Sequence, residues 1–263
     1  MSTPQSPEIS VSIVSHGQMP LVTALLHDLA QHAAPYVTEV LLTLNLPEEL
    51  PFENSEFQFP LRVIRNTTPM GFGANHNQAA ARAVGKYVCI LNPDIRLGSD
   101  VFGPLLHVLK TSPDVGLVAP GVLNAHGQLE DSARYFPTPW EILGKALGRR
   151  SRRFVARDHE LSYPDWVGGM FMLLSLDTFQ AHNGFDERYF LYYEDVDLCA
   201  RLQLAHVRVA WLPAVSVIHD AQRTSHRNLK YLRWHISSML RFFTSQAYWR
   251  TPPRGVLTAK ILK

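Results

Sequence analysis

With 263 residues, 46% of them hydrophobic and 18% charged, the chain can bury one substantial core, alone or with a small appendage, and is too apolar for wholesale disorder. Its two cysteines, Cys89 and Cys199, provide neither a disulfide framework nor a zinc signature, which fits a reducing compartment. The net charge of +2 hides an asymmetry, because residues 221–263 carry nine Lys or Arg and no acid, leaving 16 basic against 23 acidic groups before them.

Residues 1–10 are polar with two prolines and lack the apolar core of an export signal. No stretch approaches the roughly 18 apolar residues needed to cross a bilayer. A cytoplasmic protein is expected, with a basic tail that meets an anionic partner.

Short apolar runs then alternate with helical patterns, the sign of a layered α/β sheet. Residues 9–14 read as a strand, 20–31 as a helix, and 39–44 and 61–64 as further strands. An alanine-rich helix is expected over 74–84. Residues 87–91 are almost wholly apolar, as in a central parallel strand covered on both faces, and Pro93 ends the run. A helix over 100–110 and a strand over 115–119 follow, then a turn at Asn124-Ala125-His126-Gly127. Residues 134–164, with three prolines and the basic run Arg149, Arg150, Arg152 and Arg153, read as a long loop. Order returns at 166–174. A helix begins near Glu194 and runs to 205, with Asp197 and Arg201 spaced to pair across one turn. Two short strands are expected at 207–212 and 215–218, and a basic helix at 227–243 with Leu229, Leu232, Ile236, Leu240 and Phe243 along one side.

Four places could carry chemistry. Asn92-Pro93-Asp94 puts a carboxylate just past a buried strand, where open α/β sheets bind ligands and where a hard divalent cation could bridge to a diphosphate; an ordinary turn explains the tripeptide equally well. Glu194-Asp195-Val196-Asp197 sets three acids at a helix start, suited to a general base or simply to the helix dipole. Gly71-Phe72-Gly73 opens a helix whose amides could approach a phosphate, although it is neither a Walker loop nor a full dinucleotide fingerprint. His219, ending a strand, could ligate a metal or be an ordinary satisfied side chain.

The order of the pieces is more specific than any one of them. Asn66…Gly71-Phe72-Gly73-Ala74-Asn75, Asn92-Pro93-Asp94, Gly168-Gly169-Met170-Phe171-Met172, Phe185-Asp186-Glu187, Tyr193-Glu194-Asp195-Val196-Asp197-Leu198 and Val217-Ile218-His219 follow in sequence. Together they resemble the rhamnosyltransferase-like branch of the family 2 glycosyltransferases, over residues 8–245. The resemblance implies a GT-A fold, an α/β architecture with a mostly parallel central sheet flanked by helices. Residues 1–220 would form the catalytic domain and 221–263 a basic, aromatic helical extension.

It further implies that Asp94 holds Mg²⁺ or Mn²⁺ against the donor diphosphate, with His219 as a further ligand. Asp195, with Glu194 beside it, would deprotonate the acceptor. Ser15, Asn45, Asn66, Gly71, Gly73, Asn75, Asn92 and Gly169 would form the nucleotide-sugar site. The implied reaction is a single inverting displacement in the synthesis of cell-surface polysaccharide or lipopolysaccharide. dTDP-rhamnose is the preferred donor, with UDP- and GDP-sugars as alternatives, and the acceptor is a glycan or lipid-linked sugar, with contact at the inner membrane surface and no nucleic acid. Two departures bear on the donor. Leu44 stands where the family often has an aspartate that helps hold the nucleotide base, leaving that task to Asn45, Glu48 or backbone, and Ser15-His16-Gly17 replaces a common Thr-Tyr-Asn. A catalytically silent nucleotide-sugar-binding or scaffold protein is the competing reading.

Overall fold

The computed structural model describes residues 7–148, 154–155, 160–220 and 229–251. The basic run at Arg149, Arg150, Arg152 and Arg153 lies outside them, as do residues 221–228 and 252–263 of the tail.

The strands are β1 (Ile9–Ser15), β2 (Val37–Leu44), β3 (Leu61–Arg65), β4 (Tyr87–Leu91), β5 (Ile95–Arg96), β6 (Val115–Leu123), β7 (Ala133–Arg134), β8 (Trp166–Val167), β9 (Phe171–Ser175) and β10 (Arg208–His219). The helices are α1 (Met19–His32), α2 (Phe72–Ala80), α3 (Phe102–Thr111), α4 (Pro139–Ala146), α5 (Leu176–Ala181), α6 (Glu194–Leu204), α7 (Leu229–Phe243) and α8 (Gln246–Arg250). Eight strands form one sheet in the order β3-β2-β1-β4-β9-β6-β10-β5, and β7 pairs with β8 apart from it.

The first half of the sheet is parallel, β2 pairing with both β3 and β1, and β1 with β4. β9 then enters antiparallel between β4 and β6, and β10 returns parallel to β6. Alternation along the strands sorts two cores. Tyr87, Cys89 and Leu91 of β4, with Phe171 and Leu173 of β9, face the side covered by α1 and α3. Val88, Ile90, Met172 and Leu174 face the side of α5 and α6. Central strands buried on both faces need apolar residues at every position, which is why 87–91 reads as an unbroken run.

The expected helix at 74–84 is α2, which begins two residues earlier and ends four residues earlier. The two strands expected at 207–212 and 215–218 are one strand, β10, whose register against β6 shifts between Leu212 and Ser216, around Pro213. The long loop expected over 134–164 contains α4, and Ser162 bridges back to Trp211 of β10.

One ion pair fixes the sheet edge that matters most. Asp28 on α1 is buried and accepts Nε and Nη2 of Arg96 at 2.6 and 2.9 Å and the Leu97 amide at 3.0 Å. This holds β5, which pairs antiparallel with β10 through Ile95 opposite His219. Replacing Asp28 with Ala would strip a buried backbone N–H of its acceptor and leave Arg96 to water. A loss of about 1–3 kcal/mol in urea unfolding is expected, and an unchanged midpoint would show that β5 does not depend on this anchor.

Candidate active site

The C-terminal edge of the sheet collects the residues singled out in the sequence. Asn92 N–H donates to Met170 O at 2.9 Å, so the turn after β4 is tied to the turn before β9. The neighbouring Gly169 N–H donates to Asp195 Oδ2 at 2.9 Å. Asp94 and Asp195, 101 positions apart in sequence, are thereby joined through a single short segment of backbone.

On the Asp94 side, Oδ2 lies 3.2 Å from His219 Nε2, and His219 Nδ1 lies 2.9 Å from Glu130 Oε2. Asp220 N–H donates to Asp94 O at 2.8 Å, which locks the pair in register. The hydrogen bond from Asp94, opposed by burial and helped by Glu130, raises the His219 pKa to about 9. Asp94 Oδ1 is buried with no partner. That orphaned oxygen, beside an imidazole whose other nitrogen faces a carboxylate, fits a divalent cation. Glu130 sits across the ring, so among the described residues no three His, Cys, Asp or Glu side chains converge on one metal position. The two protein ligands would be Asp94 and His219. Glu130 was not anticipated from sequence, because nothing at position 130 marks it before the fold brings it to the imidazole.

On the other side, Asp195 and Glu194 have different environments. Asp195 is partly exposed, and Val196 N–H donates to its Oδ1 at 2.8 Å while Gly169 serves Oδ2. Burial pushes its pKa up, opposed by these two amides and by Arg134. Glu194 is 5% exposed, and its Oε2 has no partner. Burial, then the charge of Asp195, raises it well above the usual carboxylate range. Burial thus raises both adjacent acids, but Asp195, partly exposed, is opposed by two amides and Arg134, whereas Glu194 lies inside without such contacts from its neighbours. Asp197, the third acid, is buried and pairs with Arg201 at 2.7 Å, as its spacing predicts.

The backbone approaching this helix is strained. Tyr192 and Tyr193 have φ of 71° and 69°, a left-handed conformation that costs a bulky residue about 1–3 kcal/mol. The pair turns the chain sharply so that α6 starts with its first-turn acids beside Gly169. In return, those acids complement the positive end of the helix.

The remaining expected residues are engaged in the 66–71 loop and the turn after β1. Asn45 Oδ1 accepts from the Asn66 side chain and from Met70 N–H, and its Nδ2 donates to Met70 O and lies 3.1 Å from His16 Nδ1. Asn66 Nδ2 also meets Asn75 Oδ1 at 2.6 Å, and Asn75 Nδ2 donates to Met70 O and Gly71 O. Asn75 is 1% exposed, so its amide shapes the 66–71 loop from behind. Ser15 is fully buried and donates to Glu48 Oε2, while Gly17 N–H donates to Glu48 Oε1. Glu48 thus caps the turn after β1. Leu44 is buried at the end of β2 and offers the base no polar group.

The two glycines do a different job from phosphate approach. Phe72 N–H is already given to Phe190 O at 2.8 Å, and a Cβ on Gly71 would fall 2.7 Å from that same oxygen. A Cβ on Gly73 would fall 2.6 Å from Phe185 Cβ. Glycine at both positions lets α2 lie against the 185–190 segment that leads into the strained turn. A 490 Å³ cavity lies elsewhere, between α6 and α8, lined by Arg188, Arg201 and Arg250 among others and by none of Asp94, Asp195 or His219.

The model of the glycosyltransferase like family 2 matches residues 7–241. The chain belongs to this family. Rhamnosyltransferase WbbL of Escherichia coli strain K12 is 29% identical over 245 residues, covering 89% of this chain and 92% of that protein. N-acetylglucosaminyl-diphospho-decaprenol L-rhamnosyltransferase of Mycobacterium tuberculosis is 26% identical over 224 residues, covering 76% and 73%. Among solved structures, GalNAc-T7 with UDP, GalNAc and Mn²⁺ superposes with a TM-score of 0.68 at 15% identity. The match covers 92% of this chain and 48% of that one, so the chain spans about half its length. Mannosyltransferase PcManGT of Pyrobaculum calidifontis, in complex with GDP-Man and Mn²⁺, superposes with a TM-score of 0.59 at 15% identity, covering 98% and 79%. The fold is GT-A, and the protein is a family 2 glycosyltransferase.

Glu194 gives a test of the electrostatic division. A carboxyl with a raised folded pKa contributes its full stability below the unfolded value near 4.5 and loses it as pH rises toward the folded value. Glu194→Gln should therefore melt close to the wild type at pH 4 and become increasingly the more stable of the two from pH 5 to 8. Parallel melting curves across that range would mean that Glu194 is not held protonated.

Proposed function

We propose that this family 2 glycosyltransferase transfers rhamnose, from dTDP-rhamnose in the first instance, to a hydroxyl of a lipid-diphosphate-linked sugar, with inversion. The names of its curated relatives support the sugar, and the acceptor printed for the mycobacterial relative supports the lipid diphosphate. The observation that carries the reading is the placement of Asp195. Its carboxylate is partly exposed and fixed by Gly169 N–H beside the segment that holds Asp94.

In this reading the acceptor hydroxyl gives its proton to Asp195 as its oxygen bonds to the anomeric carbon. The bond from that carbon to the diphosphate oxygen breaks with its electron pair, and the nucleoside diphosphate leaves. One displacement of this kind inverts the configuration. Burial that raises the Asp195 pKa makes it a stronger base, and the two amides oppose that rise. Asp94 and His219 would hold Mg²⁺ or Mn²⁺, whose chemistry when bound is to neutralise charge on the diphosphate. Base recognition is left to backbone groups of the 45–48 and 66–71 segments, since the side chains of Asn45 and Glu48 are already engaged.

A thermal-shift screen of dTDP-, UDP- and GDP-sugars with Mn²⁺ should show one donor raising Tm by about 5 °C or more at a hundredfold excess over Kd. Asp94→Ala should lose the metal-dependent part of that shift. Asp195→Asn should keep donor and metal binding and lose about 10²–10⁴-fold in turnover, measured by release of nucleoside diphosphate. Metal-dependent binding by the wild type with no turnover on any of these donors would favour the catalytically silent reading instead.

A further inference from the structure

Helix α7 has two unlike faces. The inner one grips the segment that leads to Asp195. Ser238 Oγ donates to Leu191 O at 2.9 Å, Trp234 stacks on Phe190 with ring centroids 4.5 Å apart, and His235 meets the rings of Tyr192 and Tyr193 edge-on. Phe242, fully buried, packs on Tyr193.

The outer face is apolar and uncovered. Leu229, Leu232, Ile236 and Leu240 recur at helical spacing and are between 43% and 81% exposed. The sequence pattern alone leaves open whether this stripe packs on the domain with the charges outward. The structure packs the helix by its other side. Four large apolar side chains in one solvent-facing line mark an interaction surface.

The chemistry around the stripe narrows the partner. Lys230, Arg233 and Arg241 accompany it, and no acid occurs anywhere in 221–263. Trp249 on α8 is 75% exposed. Helix α4 repeats the pattern, exposing Trp140 and Leu143 just before the basic run at Arg149, Arg150, Arg152 and Arg153. It begins three residues after Phe136, whose ring lies 6.5 Å from that of Phe242. A second copy of this chain would set Lys230, Arg233 and Arg241 against their own counterparts, and a nucleic acid would leave the leucines unused. A surface with anionic headgroups over an apolar layer satisfies both features.

We propose that the outer face of α7 docks in the plane of an anionic lipid bilayer, with the leucines at the acyl boundary and the basic residues among the headgroups. Docking would seat at the membrane the same helix that steadies the Tyr192–Tyr193 turn. The inference requires no particular donor sugar, and it gives a lipid-linked acceptor a site of delivery.

The test is co-sedimentation of the full chain with vesicles of phosphatidylcholine, alone or mixed with phosphatidylglycerol. Binding should require phosphatidylglycerol and weaken as salt rises. Leu232→Ser with Ile236→Ser should reduce partitioning about tenfold or more, and Arg233→Gln about fivefold, with circular dichroism unchanged because these side chains are exposed. If the double variant folds poorly, Arg233→Gln carries the comparison alone. Failure of the wild type to bind phosphatidylglycerol vesicles, or equal binding by the variants, would overturn the proposal. So would a concentration-dependent dimer that the double variant abolishes, which would assign the stripe to a second copy. A failed sugar-transfer assay would leave the vesicle result standing, so the two proposals fail separately.

Discussion

Asp195 reaches its position because one backbone amide receives it. The Gly169 N–H holds Oδ2, and the adjoining Met170 carbonyl holds the Asn92 amide, so Asp195 and the Asp94 turn share one connection. This hinge stands at the entry to β9, the strand that runs antiparallel between β4 and β6. Gly169 also lies against the Phe72 ring, where a Cβ would come to 3.3 Å, so the same residue sets the approach of α2. Moving the turn would separate the acids and loosen the packing of α2 together.

The arrangement is costly in local terms. Two tyrosines adopt left-handed backbone, Glu194 is buried with an unpartnered oxygen, and Asp94 Oδ1 has no partner either. Departures of this kind persist where the surroundings over-determine them. Here the restraint comes from two sides. Gly71 and Gly73 bring α2 against 185–190, and α7 closes on 190–193 from the other direction. The strained turn is held between α2 and α7, which links the C-terminal helix to the position of Asp195.

Much of this was legible in the sequence. Apolar runs located the strands, because strands buried on both faces admit little else, and the Asp197–Arg201 spacing announced an ion pair that forms. The ordered string of motifs identified the family and, with it, the GT-A fold. The asparagines and glycines were expected at a nucleotide site, and what the fold shows of them is their contacts within the chain. Asn45, Asn66 and Asn75 spend their amides on one another and on Met70, and the two glycines admit neighbouring backbone and side chain. A side chain's partner lies in the third dimension, and neither spacing nor residue type names it.

What the chain determined by itself was the alternation that builds the sheet and the presence of carboxylates where strands end and a helix begins. Tertiary structure alone decided that two adjacent acids have unlike surroundings, since Glu194 turns into the core while the partly exposed Asp195 meets amides. It also decided that Glu130 stands behind His219, and that α7 packs through Trp234, Ser238 and Phe242 while its leucines face outward. The reason is common to all three. Periodicity shows that a helix has an apolar side, and proximity shows that acids are neighbours, but burial depends on what the rest of the chain brings against them.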